Sequence, residues 1–152
     1  MKKELEDKLF KKYPKIFPKG RNIGPHQSLM CFGLECDSGW YWLIDQLCSC
    51  IQSYIDGNKH LKIKQVVAAQ VKEKFAQLRF YTDGHDENIG GMIWLAEHMS
   101  GSICEKCGSF EGKIDEQARW IKCLCDECRK DKQKEDLDRQ KKTIKKLRER
   151  SK

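Results

Sequence analysis

Ile63-Lys64-Gln65-Val66-Val67-Ala68-Ala69-Gln70-Val71-Lys72, followed after a short gap by Leu78-Arg79-Phe80-Tyr81-Thr82, is the stretch on which the fold turns. Its apolar residues recur with a period of two. Ile63, Gln65, Val67, Ala69 and Val71 fall on one face, and Val66, Ala68, Gln70 and Lys72 on the other. Such alternation predicts two strands of a β-hairpin, with the reversal at Lys74 to Gln77 and Asp83-Gly84 closing the second strand.

Outward from the hairpin the period changes to that of a helix. Leu43, Leu47, Ile51 and Ile55 form an i, i+4 stripe, flanked by Trp40, Ile44, Cys48 and Tyr54. A helix is expected from about Gly39 to Ile55, capped by Asp37 or Ser38 and ended by Asp56-Gly57-Asn58. On the other side, Asp86 is expected to cap a helix running to about Ser100, with Ile89, Met92, Ile93, Ala96 and Met99 inward and Gly101 just past its end. A shorter amphipathic helix is predicted over 4–13 from Leu5, Leu9, Phe10 and Tyr13, stopped by Pro14 and Pro18. Residues 14–25 read as a loop, and 26–38 as irregular or briefly extended. The helices must cover the hairpin to bury both apolar sets. Trp40, Trp42, Trp94, Phe75, Phe80 and Tyr81 are the expected aromatic core.

Composition bounds the function. The chain has 152 residues, 30 Lys+Arg, 23 Asp+Glu and nine cysteines. Apolar runs such as Met92 to Ala96 are far short of a membrane span. The start, Met1-Lys2-Lys3-Glu4-Leu5-Glu6, has no apolar h-region, so no signal peptide is expected and the setting reads as cytoplasmic. An odd number of cysteines in a reducing cytosol argues for metal rather than disulfides. The net charge of +7 lies wholly in residues 129–152, because residues 1–128 carry 18 of each sign. That basic tail offers Arg129, Lys130, Arg139, Lys141, Lys142, Lys145, Lys146, Arg148 and Arg150 as nucleic-acid contacts. Its interleaved acids, Glu135 with Arg139 and Asp138 with Lys142, point first to a solvated or frayed helix.

Cys104-Glu105-Lys106-Cys107-Gly108 and Cys125-Asp126-Glu127-Cys128 make a Cys-x2-Cys-x17-Cys-x2-Cys pattern. Two intervening residues let one tight turn aim both sulfurs at one ion, and Gly108 suits the positive φ of such a knuckle. One structural zinc on Cys104, Cys107, Cys125 and Cys128 is expected, in a treble-clef-like zinc finger. Trp120-Ile121-Lys122-Cys123-Leu124 would be the strand leading into the second pair. Cys123 is the rival ligand, and an iron–sulfur cluster the rival metal group. No histidine lies between Cys107 and Cys125, against a nuclease of the histidine–metal type.

Other chemistry is less concentrated. Lys72, Lys74 and Arg79 place three cations on the hairpin, which read first as a solvated sheet face and second as a set able to meet an anion or a nucleotide. Asp83, His85 and Asp86 could form an acid/base or metal cluster, or simply a polar turn and helix cap. His98 is within sequence reach of the knuckle. Glu35 and Asp37 read as capping residues.

Three segments together resemble a family of small, largely uncharacterised proteins encoded by bacteria and their phages. They are Gly33-Leu34-Glu35-Cys36-Asp37-Ser38-Gly39-Trp40, then Gln70-Val71-Lys72-Glu73-Lys74-Phe75-Ala76-Gln77-Leu78-Arg79-Phe80-Tyr81, then the cysteine pairs. The likeness spans about residues 5 to 128 and omits the tail. The family pattern usually has histidine in place of Cys128, either of which binds zinc, and favours glycines in place of Ala76-Gln77, which lowers the expectation of a tight turn there. The resemblance implies a bacterial or bacteriophage cytosol and carries over no catalytic residue.

The expected architecture is α+β: residues 1–101 as helices covering a β-hairpin or small antiparallel sheet, 102–128 as a treble-clef-like zinc module, and 129–152 as a basic, partly helical or disordered tail. The leading expectation is a non-enzymatic binding or regulatory module for a host protein or nucleic acid. The alternatives are a nucleic-acid-binding protein acting through its tail, and a phage anti-defence protein that binds or degrades a small nucleotide signal.

Overall fold

The computed structural model describes residues 1–117 and 121–150, leaving out the side chains of residues 145 and 147–150. The expected roles of Trp120, Lys145, Arg148 and Arg150 therefore lie outside the described residues. The chain folds as α1 (Lys3–Lys12), β1 (Leu34–Glu35), α2 (Tyr41–Gly57), β2 (Ala68–Lys74), β3 (Gln77–Thr82), α3 (Glu87–Ser100), β4 (Lys113–Ile114), β5 (Cys123–Leu124) and α4 (Asp126–Arg150). The class is α+β, as the two periodicities require.

The hairpin is β2 and β3, and β1 adds a third strand parallel to β2, with Leu34 beside Val71 and Glu35 beside Lys72. The sheet is therefore mixed. The two-residue β1 is too short to show a period, and it forms because residues 34–35 lie alongside β2. β2 starts later than the alternation suggests, at Ala68, and its register shifts between Ala68 and Gln70. That bulge puts Ala68 and Val71 on the same inner face, although simple alternation separates them. The reversal is a two-residue turn after all. Phe75 and Ala76 both take positive φ, at 54° and 62°, the geometry that matches the twist of a hairpin.

Inside, Val71, Leu78 and Phe80 meet the apolar faces of α2 (Leu43, Leu47, Ile51) and α3 (Ile89, Ile93, Ala96), all buried. Ile16 and Phe17, in the loop after α1, are buried too. Of the expected aromatic core only Trp40 and Phe80 are buried; Trp42, Trp94, Phe75 and Tyr81 are exposed by 49%, 60%, 69% and 43%. Helical and strand faces are wider than the core they abut, and these rings lie on the outer sides. Met99, expected inward, is also exposed.

Caps follow side-chain chemistry only in part. Asp86 caps α3, its carboxylate accepting the Ile89 N–H at 2.9 Å. Asp37 does not cap α2 with its side chain; Trp40 occupies the cap, after a tight turn over Ser38–Trp40. Gly101 follows α3 in right-handed geometry, φ −67°.

Side chains engage amides on both edges of the sheet. Along β3, the outward N–H of Leu78 donates to Ser100 Oγ (2.8 Å) and that of Phe80 to Glu97 Oε1 (2.9 Å), both on α3. Along β1, the Leu34 N–H donates to the fully buried Glu6 carboxylate. No helix among the described residues is long and apolar enough to cross a membrane.

Candidate metal centre

The four predicted cysteines converge. The Sγ atoms of Cys104, Cys107, Cys125 and Cys128 lie within 4.8 Å of one another. Among the described residues this is the one grouping of three or more potential metal ligands. Cys107 Sγ and Cys125 Sγ are 3.7 Å apart, and all nine cysteines are free thiols. A tetrahedral ion with metal–sulfur bonds of about 2.3 Å holds its sulfurs roughly 3.8 Å apart, so the donor set fits such an ion.

Local backbone explains the convergence. Gly108 turns the knuckle with φ 83°, and its N–H donates to the Cys104 carbonyl at 2.8 Å. β4 and β5 pair in antiparallel fashion, Lys113 beside Leu124 and Ile114 beside Cys123. The second cysteine pair then falls at the start of α4, the Arg129 N–H donating to the Cys125 carbonyl. Knuckle, short hairpin and helix follow in the order of a treble clef.

The knuckle is seated on the body by the segment around Gly39. The Gly39 N–H donates to the Glu105 carbonyl at 2.7 Å, and a Cβ on Gly39 would come within 2.6 Å of the Gly108 nitrogen. Trp40 Nε1 donates to the Ile103 carbonyl at 2.9 Å. Glu105, fully buried, accepts the Asp37 N–H (3.0 Å) and Lys122 Nζ (2.8 Å). Burial pushes the Glu105 carboxyl up against the lowering pull of Lys122. The role that sequence reasoning missed is this socket: Asp37 and Gly39 hold the metal knuckle rather than only starting α2. The signal was the glycine immediately before a buried tryptophan.

The thiols do not titrate alike. For Cys104, burial works upward, but the backbone N–H groups of Cys107 and Cys125 outweigh it and bring the thiol down to about 7. The Ser109 backbone pulls the Cys107 thiol down, but burial, with the hydrogen bonds to Cys104 and Cys125, overrides it and the thiol is raised. Burial and hydrogen bonds to Cys125, Cys107 and Cys104 raise Cys128. Thiols crowded together resist ionising together, and a divalent cation removes that conflict. Burial pushes Cys36 up to about 12 and Cys123 up to about 11, and Cys123 donates to the Gly101 carbonyl at 3.2 Å. Cys123, the rival ligand, lies outside the cluster.

Other candidate residues disperse. His98 stacks on Trp94 with ring centroids 4.4 Å apart and takes no place in the knuckle. His85 Nδ1 contacts Thr82 Oγ1 at 2.8 Å, while Asp86 is engaged as the α3 cap and by the Tyr54 hydroxyl, which donates to it at 3.1 Å. Lys72, Lys74 and Arg79 do share the outer face of the sheet, Lys72 opposite Arg79 and Lys74 opposite Gln77. Of the tail cations, Arg129 is engaged in anchoring: it donates to the carbonyls of Lys113 (2.7 Å) and Leu124 (3.3 Å) and pairs with Asp115. Lys130, Arg139, Lys141, Lys142 and Lys146 are exposed along α4. Comparison of the chain with protein-family models, with curated proteins and with solved structures gives no match, so its function rests on the chemistry of the site itself.

Proposed function

We propose that the protein is a zinc-stabilised, non-enzymatic binding module that presents a basic helix to nucleic acid. The observation that carries this reading is the position of α4. It begins at the second pair of cysteines, and Arg129 ties its first turn to β4 and β5. Four thiolates would complete the shell of a tetrahedral zinc and leave no position for water, which makes the metal structural. Its binding would supply folding free energy of about 10–16 kcal/mol to residues 104–128. α4 then extends about 37 Å from the module, with exposed Lys130, Arg139, Lys141, Lys142 and Lys146 free to displace counterions from a phosphate backbone. The resemblance noted above suggests a bacterial or phage cytosol as the setting.

Elemental analysis of the purified chain tests the metal. One zinc per chain is expected, with cobalt substitution giving thiolate charge-transfer bands that Cys125→Ser removes. Full zinc content and thermal stability in Cys125→Ser would overturn the assignment. For the helix, Lys130→Gln, Lys141→Gln and Lys142→Gln together should weaken binding to duplex DNA and reduce its salt dependence by about 2.7 in log–log slope. Unchanged binding would remove α4 from the reading.

A host protein is the second reading, favoured by the outer face of α3. Trp94, Leu95 and Met99 are exposed there, and α3 contains no Lys or Arg. Nuclease-treated affinity purification from the native host separates the two. A protein retained after nuclease treatment and lost with Trp94→Ala would favour the second.

A further inference from the structure

The outer face of the three-stranded sheet carries a combination of side chains that the core does not require. Gln70, Lys72 and Lys74 on β2 stand opposite Tyr81, Arg79 and Gln77 on β3, with Glu35 on β1 beside Lys72. Like charges directly across a strand pair destabilise the free sheet, so Lys72 opposite Arg79 is a local conflict within this fold. Among the described residues neither Lys72 nor Lys74 has a carboxylate oxygen within 4.0 Å; their ammonium groups sit instead over the rings of Tyr81 (5.7 Å) and Phe75 (5.3 Å). Arg79 has Glu97 at 3.8 Å and Gln77 Oε1 at 3.1 Å, and Glu35 accepts from Gln70 at 3.1 Å. Three cations against the carboxylates of Glu35 and of Glu97, which pairs with Arg79, leave the face positive by one charge, carried by Lys72 and Lys74. Tyr81 at one end and Phe75 at the turn are both exposed. Beside Tyr81 an open groove of about 440 Å³ is lined by His26, Leu29, Gln70 and Lys72 as well.

We propose that this sheet face binds single-stranded nucleic acid, with Tyr81 and Phe75 stacking on bases and Lys72, Lys74 and Arg79 meeting phosphates. Every base offers a ring face, so exposed aromatics joined to cations form a sequence-tolerant platform. A duplex hides its base faces and cannot use the rings. β3 runs about 13 Å from Gln77 to Tyr81, long enough for a short run of nucleotides to lie along it. Because its residues differ from those on α4, the site stands or falls separately from the helix reading.

The test uses the full, zinc-loaded chain and a fluorescent single-stranded decamer. Tyr81→Leu and Phe75→Ser are each expected to weaken binding about tenfold with the salt slope unchanged. Lys72→Gln and Arg79→Gln should each lower that slope by about 0.7. A decamer carrying 5-iodouracil should photocrosslink to the peptides holding Tyr81 or Phe75. Thermal melts show that the variants remain folded. Several outcomes overturn the proposal: equal affinity for duplex and single strand, a mononucleotide binding as tightly as the decamer, or crosslinks confined to α4. So does undiminished binding by Tyr81→Leu and Phe75→Ser, even if α4 substitutions abolish binding.

Discussion

Gly39 and Glu105 join the two parts of the molecule: the Gly39 N–H donates to the Glu105 carbonyl at 2.7 Å, leaving no space for a side chain at residue 39. Gly39→Ala must push the knuckle away from α2. A cost of about 3 kcal/mol is expected, which lowers the melting midpoint by roughly 6–12 °C. Competition with a chromophoric chelator should show weaker metal binding as well. An unchanged midpoint would mean that the knuckle is not seated as described.

Lys122 and Glu105 make a second cross-link, also with Asp37. Lys122→Met leaves a buried carboxylate unpaired and should cost about 3–5 kcal/mol in denaturant unfolding. Adding Glu105→Gln removes the charge while keeping an acceptor for the Asp37 N–H. The double variant should therefore recover more than half the loss. If the two substitutions simply add, the pair is not coupled.

The turn at Phe75-Ala76 holds two side-chain-bearing residues in left-handed geometry. Phe75→Asn with Ala76→Gly suits a two-residue hairpin turn and should stabilise the chain by about 1–2 kcal/mol, read as a higher midpoint. The same change removes the Phe75 ring and should weaken decamer binding. Higher stability with weaker binding is the joint result expected; a lower midpoint would contradict the turn geometry.

Alkali should destabilise the protein in steps. The Tyr13 hydroxyl donates to the Asp45 carbonyl and carboxylate, both at 2.9 Å, and Lys12 Nζ lies 2.7 Å from Asp45 Oδ1. Burial raises Tyr13 above 10.0, and the Asp45 hydrogen bond raises Lys12 above 10.5. Burial likewise raises Cys36 from 9.0 to about 12. In each case the native state holds its proton more tightly than the unfolded chain. That stabilisation is complete below the unfolded value and disappears as pH rises through the native one. The melting midpoint should decline from about pH 9 and more steeply beyond about pH 10. Tyr13→Phe should make the upper part shallower; an identical profile would refute the Tyr13 contribution.

The parts of this fold that could be read in advance were those governed by spacing. Leu43, Leu47, Ile51 and Ile55 have one periodicity and one buried face, and Cys104, Cys107, Cys125 and Cys128 have a spacing with one economical geometry. What escaped was set by distant partners. Nothing local to Leu34-Glu35 announces a strand, because its pairing is with Val71 and Lys72. The bulge at Ala69 inverted half of the alternation on β2. Trp94 and Tyr81 look like core residues in sequence because hydrophobicity does not say which side of an element faces inward. Asp37 read as a helix cap because its N–H partner, the Glu105 carboxylate, lies 68 residues away.

The engagement of Leu78 and Phe80 by Ser100 and Glu97, with Glu6 on the opposite margin, has a consequence for assembly. A sheet whose rim still offers free amides can recruit a strand from another chain, either as a recognition device or as the seed of a fibre. Here the rim amides of Leu78, Phe80 and Leu34 are already engaged, which narrows that route at both margins. The protection depends on α3 staying in place. Conditions that loosen α3 would free two amides on β3 and uncover the apolar residues that α3 buries, so self-association should follow from that joint opening.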